Sequence, residues 1–169
     1  MRLLTPAIKY WVCKSAPGFL YEAMECLGGN GYVEEGILAR HYRESPVNAI
    51  WEGSGNVMCL DVLRALQREA EAAAAVLQGL AGETRGLPGA DEAVAFIAKA
   101  FQRPDGERVA RLAVEKLALL AAAAALHQVS PKHAELFAAT RLAGTHASMY
   151  GAVDLAAGDI RSLLERALP

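Results

Sequence analysis

Residues 117–126 read LALLAAAAAL, with five consecutive alanines at 121–125. Alanine has the highest intrinsic helix propensity and leucine follows closely. Such a run commits its stretch to helix, and its small side chains let neighbouring helices approach closely. The same bias recurs at residues 69–80, EAEAAAAVLQGL. β-Branched residues occur only in a few short runs, so no sheet is expected. The fold class predicted for this chain of 169 residues is all-α, an antiparallel helix bundle with short loops. A chain near this size buries roughly 68–70% of its unfolded surface, which is enough for an independent core.

Periodicity and punctuation place the helices. Leu4, Ile8, Trp11 and Val12 form an amphipathic stripe, with Thr5 and Pro6 suited to a first turn. Ser15, Pro17 and Gly18 predict an interruption before a second helical stretch carrying Leu20, Met24 and Leu27. The helix containing residues 69–80 is expected to run on unbroken from Leu66 to about Leu80. Gly79, Gly82, Gly86, Pro88 and Gly89 mark a linker, and a soft boundary falls between residues 80 and 90. Beyond it, Asp91 is expected to cap a helix reaching about Phe101, and Asp105 the next. Val109, Leu112, Lys116, Leu119 and Leu126 predict the inner stripe of that longer helix. Ser130 and Pro131 open another, to about Leu142. Gly144 and Gly151 predict a loose region, with Asp159 capping a last helical stretch through Leu168.

Composition removes several function classes. The formal net charge of −2 gives no general attraction to nucleic acid or anionic membrane. The start, MRLLTPAIKYW, lacks the apolar core and cleavage site of a signal peptide. The alanine-rich runs are too interrupted by charge to span a bilayer, so the expectation is a cytosolic protein. Cys13, Cys26 and Cys59 show no paired spacing, which fits a reducing compartment and buried thiols. His41, His127, His133 and His146 have no partners at metal-ligand spacing, so no metal site is expected.

Residues 47–63, VNAIWEGSGNVMCLDVL, hold the most chemistry. Glu52 sits between Trp51 and Gly53, a lone carboxylate among apolar and backbone-permissive neighbours. Gly53 and Gly55 allow a tight turn and close approach of a ligand. Ser54 or Asn56 can cap the helix that follows. That helix carries Met58, Val62, Ala65 and Leu66 in an apolar row. Two readings stand for Glu52: a solvated or ion-paired acid at a helix start, or a base tuned by desolvation in an apolar site. The glycine run LGGNGYVEEG at residues 27–36 also has two readings. It stops a helix with Gly28 or Gly29 in the left-handed conformation, or it presents backbone N–H groups to an anionic ligand. It is no dinucleotide fingerprint, since it neither matches G-x-G-x-x-G nor follows a strand.

The stretches EAMECLGGNGYVEE and RHYRESPVNAIWEGSGNVMCLDVLRAL together resemble the carboxy-terminal helical region of acyl-CoA dehydrogenases, most closely the AidB branch. The order LGGNGY, YRE, IWEGSGN is specific, and the resemblance is strong over about residues 2–68. It implies a dehydrogenase-like helical region at 1–80 and an AidB-type carboxy-terminal helical extension at 81–169. It also implies that the chain is the tail of a longer enzyme with further helical and β domains.

By the same resemblance, Glu52 is the base that removes the α-proton of an acyl-CoA thioester while FAD takes the β-hydrogen as hydride. Ile50, Trp51, Gly53, Ser54, Gly55 and Asn56 would contact FAD, and Gly28, Gly29 and Gly31 would lie near the cofactor of a neighbouring subunit. Most family members have Tyr at the position of Trp51, and Thr and Gln at those of Ser54 and Asn56. These differences match the AidB branch, and a bulky Trp51 would narrow an acyl pocket. The family further implies a homo-oligomer, a tetramer or dimer. Two alternatives remain. One is an AidB-like DNA-binding protein of the alkylation-damage response, although acids and bases nearly balance from Asp61 onward and dilute a patch at Arg103, Arg108, Arg111 and Lys116. The other is a cofactor-free helical oligomerisation module that exposes apolar surface.

Overall fold

The computed structural model describes residues 3–144 and 149–168. Among them there is no strand, and the chain is a helix bundle. Its elements are α1 (Leu4–Cys26), α2 (Gly29–Tyr32), α3 (Ile37–Glu44), a 3-10 turn (Ser45–Ala49), α4 (Gly55–Arg68), α5 (Ala70–Glu83), α6 (Ala90–Gln102), a second 3-10 turn (Gly106–Val109), α7 (Ala110–Val129), α8 (Pro131–Arg141) and α9 (Ala157–Ala167).

α7 is the hub, packed against α1, α4, α5, α6 and α8. A helix enclosed on this many sides has no single apolar stripe. The predicted stripe holds only in part: Leu119 is buried, but Leu112 is 47% exposed, and Ala113, Val114, Leu117, Leu120 and Ala124, all outside the stripe, are buried. The alanines do what their size allows, with Ala123 and Ala124 buried against neighbouring helices. One core cluster joins Leu3, Ala7, Tyr10 and Val62 to Ile97, Leu117 and Leu120, from both sides of residues 80–90.

Three local expectations are corrected. α1 runs straight through Pro17, although an interior proline removes a hydrogen bond and costs about 3 kcal/mol. Burial of Ala7 and Tyr10 before the proline and Met24 after it outweighs that loss. The helix from Leu66 is broken at Glu69, whose φ of −132° and ψ of 50° leave the helical region. Nothing local marks this bend; it lets α5 turn onto α6 and α7. Gly79 and Gly82 lie inside α5, so the linker shrinks to residues 84–89. Thr84, fully buried, closes α5 by donating to the Leu80 carbonyl at 2.7 Å.

The acids expected as caps act otherwise. Asp91 lies within the first turn of α6, behind Gly89. Asp105 accepts from Arg103 at 2.8 Å and from Arg108 at 3.5 Å. Asp159 pairs with Lys132 at 3.5 Å. Gly144 and Gly151 both have positive φ, and the residues between 144 and 149, His146 included, lie outside the described ones.

Candidate functional site

The stretch around Glu52 is built from the backbone outward. The 3-10 turn Ser45–Ala49 closes when the N–H groups of Ile50 and Trp51 both donate to the Val47 carbonyl at 2.9 Å. The chain then reverses. Glu52 takes a φ of 51° and Gly53 one of 111°. Glu52 is the one residue other than glycine with positive φ among those described. For an L-residue with a full side chain this conformation costs roughly 1–2 kcal/mol. Such strain persists only where surrounding contacts hold it.

Those contacts come from α1. The Lys9 ammonium donates to three successive carbonyls, those of Trp51 at 2.7 Å, Glu52 at 3.2 Å and Gly53 at 2.8 Å. On the other side, Gly55 is buried against α1, where a Cβ would stand 2.9 Å from Lys14 Cε and 3.3 Å from the Tyr10 ring. The glycines at 53 and 55 therefore serve turn shape and helix contact. Ser54 occupies the N-cap position of α4 with extended backbone, but its hydroxyl makes no capping bond. Its carbonyl instead accepts from the Met58 N–H at 3.0 Å. Met58, Cys59 and Val62 then anchor α4 in the core.

Glu52 is exposed on the edge of an open groove of about 640 Å³ between the start of α1 and α4. Pro6 and Met58 give the groove apolar surface, and Lys9, Asp61 and Arg64 give it charge. Asp61 and Arg64 are paired at 2.6 Å. Ile50 and Trp51, 67% and 55% exposed, stand next to the same turn.

The glycine run behaves as a helix stop. Gly28 has a φ of 56°, and its N–H closes α1 on the Glu25 carbonyl at 3.0 Å. Gly31 is buried, and a Cβ there would lie 2.2 Å from the Met24 carbonyl oxygen, so only glycine fits. At Gly28 and Gly29 a Cβ would meet nothing within 4 Å. The groove beside Glu52 contains none of the three.

Other candidates find structural partners. His133 sits between Ser130 Oγ at 2.6 Å on Nδ1 and Ser162 Oγ at 3.0 Å on Nε2, tying α8 to α9. His127 Nδ1 lies 2.8 Å from the Glu83 carbonyl. Among the described residues no His, Cys, Asp and Glu grouping could hold a metal ion. Of the thiols, Cys59 alone is buried, and Cys26 is exposed, against the expectation for all three. Burial pushes the Cys59 thiol up, and nearby Arg111 offsets part of that rise. No helix among the described residues is long and apolar enough to cross a membrane.

Lys9 escaped the sequence reading. It lies 42 to 44 positions before the carbonyls it gathers, and a lone lysine on an amphipathic helix carries no signal of such a role.

Known proteins match the part of the chain that holds this site. Residues 2–67 match the family of the acyl-CoA dehydrogenase carboxy-terminal domain. Over 69 residues the chain is 64% identical to the acyl-CoA dehydrogenase-like protein AidB of Escherichia coli (strain K12), a match covering 41% of this chain and 13% of that one. It is 45% identical over 64 residues to acyl-CoA dehydrogenase family member 11 of Caenorhabditis elegans, covering 38% of this chain and 10% of the relative. It is 39% identical over 49 residues to the mitochondrial short-chain specific acyl-CoA dehydrogenase of Bos taurus, covering 29% and 12%. The matched stretch thus amounts to only a small part of each relative's length.

Proposed function

We propose, from the membership of residues 2–67 in the acyl-CoA dehydrogenase family on its AidB-like branch, that this chain carries the base of an FAD-dependent oxidoreductase acting on acyl-CoA thioesters. The observation that carries the reading is Glu52. A carboxylate is held in a disfavoured backbone conformation, at the edge of a groove, within the matched stretch. Conformational strain held by its surroundings is a mark of functional positions.

In this reading Glu52 takes the α-proton of the thioester. A carboxylate is a poor base toward carbon in water, so the groove must close over it and exclude solvent. FAD, when bound, would supply the acceptor for the β-hydrogen as hydride. Ile50 and Trp51, exposed side by side next to the turn, would offer apolar surface to one face of the flavin ring. Gly53, Ser54, Gly55 and Asn56 would contribute backbone and polar contacts. Gly28, Gly29 and Gly31 would serve a neighbouring subunit's cofactor, in keeping with their position away from the Glu52 groove.

The isolated chain supplies a base but few of the contacts a flavin needs, so it should not turn over substrate alone. The division into a dehydrogenase-like part, 1–80, and a helical extension, 81–169, belongs to the same proposal. So does a homo-oligomer, a dimer or tetramer, which would cover exposed apolar residues such as Phe19, Tyr32 and Ile37. The DNA-binding alternative is disfavoured by the basic side chains themselves. Arg103 and Arg108 pair with Asp105, Arg111 donates to the Tyr10 hydroxyl, and Lys116 lies over the Phe96 ring.

The test is Glu52→Gln in the protein together with its flavin-binding domains. Dye reduction driven by acyl-CoA should fall by about 10²- to 10⁴-fold while bound flavin is retained. Undiminished turnover would remove Glu52 as base.

A further inference from the structure

The Lys9 ammonium has three N–H donors, and three consecutive carbonyls of the reversed turn accept them. The carbonyls of Trp51, Glu52 and Gly53 must therefore converge on one point. The same residues carry the turn's positive φ, 51° at Glu52 and 111° at Gly53, so the gathered carbonyls and the reversal of the chain coincide. Lys9 is itself fixed. Its neighbours Ala7 and Tyr10 are buried in the core, and the lysine is half-buried between α1 and the turn. The cation stands on α1, and the Glu52 carboxylate enters none of the ion pairs among the described residues.

We propose that Lys9 is the positioning residue of the site: its ammonium gathers the carbonyls of residues 51–53 and so sets the direction in which the Glu52 side chain leaves the turn. Lys9 touches the backbone of the base rather than the reacting atoms. The conformational part stands on the geometry alone, while its consequence for turnover rests on the reading of Glu52 as the base.

Two measurements test it. On the 169-residue chain, a glutamate-specific protease is used to follow cleavage after Glu52. Cleavage after Glu107, an exposed residue in the second 3-10 turn, serves as reference. Lys9→Met should raise cleavage after Glu52 about tenfold relative to Glu107, because the turn opens locally. Lys9→Arg, which keeps a cation, should raise it less. An unchanged ratio, or a rise at both bonds alike, overturns the proposal.

In the flavin-loaded protein with its other domains, Lys9→Met should lower kcat by about 10- to 100-fold, the scale of a misplaced catalytic group. KM for the thioester should stay within about twofold, with partial recovery in Lys9→Arg. A loss confined to KM overturns the role. Glu52→Gln separates the two claims. If it is fully active while Lys9→Met speeds cleavage after Glu52, the base assignment fails and the clamp stands. If it is inactive while Lys9→Met leaves that cleavage unchanged, the clamp fails and the base stands.

Discussion

A Cβ placed on Gly53 would lie 2.2 Å from Cε of Met58, so the turn and the first buried side chain of α4 are in direct steric register. Two separate penalties meet at this glycine. Its φ of 111° is one that side chains rarely adopt, and the space beside it is filled.

Gly53→Ala should therefore destabilise the chain by roughly 1–3 kcal/mol in urea unfolding. Adding Met58→Ala separates the causes, since it removes the clash and leaves the backbone strain. Gly53→Ala should cost less on the Met58→Ala background than in the unaltered chain. Full additivity would show that Met58 does not press on the turn.

A second pair of glycines gives a graded comparison. Gly86 has a φ of 83° with open space around it, whereas at Gly89, φ 71°, a Cβ would come within 2.4 Å of the Ala143 backbone nitrogen. Gly86→Ala should cost about 1–2 kcal/mol from conformation alone. Gly89→Ala should cost clearly more, because backbone cannot swing aside as a methionine terminus can. Equal midpoint shifts in thermal unfolding would contradict that close approach.

Arg111 Nε donates to the Tyr10 hydroxyl at 3.3 Å and joins α7 to α1. Tyr10 is 8% exposed, so its ring remains buried when the hydroxyl is removed. Tyr10→Phe should lower stability by about 0.5–1.5 kcal/mol, the net worth of one hydrogen bond. Tyr10→Ala should cost several times more through lost packing. Similar losses for both would mean that the ring contributes little.

The buried thiol gives a pH dependence with a definite sign. Cys59 keeps its proton in the folded chain to higher pH than an ordinary thiol, whose value is 9.0. Above that value the unfolded chain loses the proton first, so unfolding is favoured as pH rises. Stability should be insensitive to Cys59 below about pH 8 and should decline progressively above 9. Cys59→Ala should flatten the alkaline part of the curve. An identical alkaline slope in both proteins would show that this thiol ionises as readily when folded.

Much of this arrangement was readable in the chain itself. Residue type announced the turn at Glu52, Gly53 and Gly55, and Pro131 announced α8, because these are local choices made by a few adjacent atoms. Pro17 misled for the same reason: its local preference was outvoted by core contacts on either side. The bend at Glu69 left no trace, since Arg68, Glu69 and Ala70 all suit helix and only tertiary packing turns the chain there. Leu112 and Leu117 are chemically the same residue, and which one faces inward was settled by how many neighbours surround α7. Lys9 shows the sharpest limit. Its partners are main-chain oxygens, which every residue possesses, so no side-chain pattern could have singled them out.

The central placement of α7 has a consequence for dissection of the protein. The segment that resembles known enzymes ends at residue 67, yet Leu3, Ala7, Tyr10 and Val62 belong to the same apolar cluster as Ile97, Leu117 and Leu120. A gene fragment cut at that recognisable limit would strip one wall from its own interior. The less familiar half is, in mechanical terms, the keel on which the recognisable half is laid.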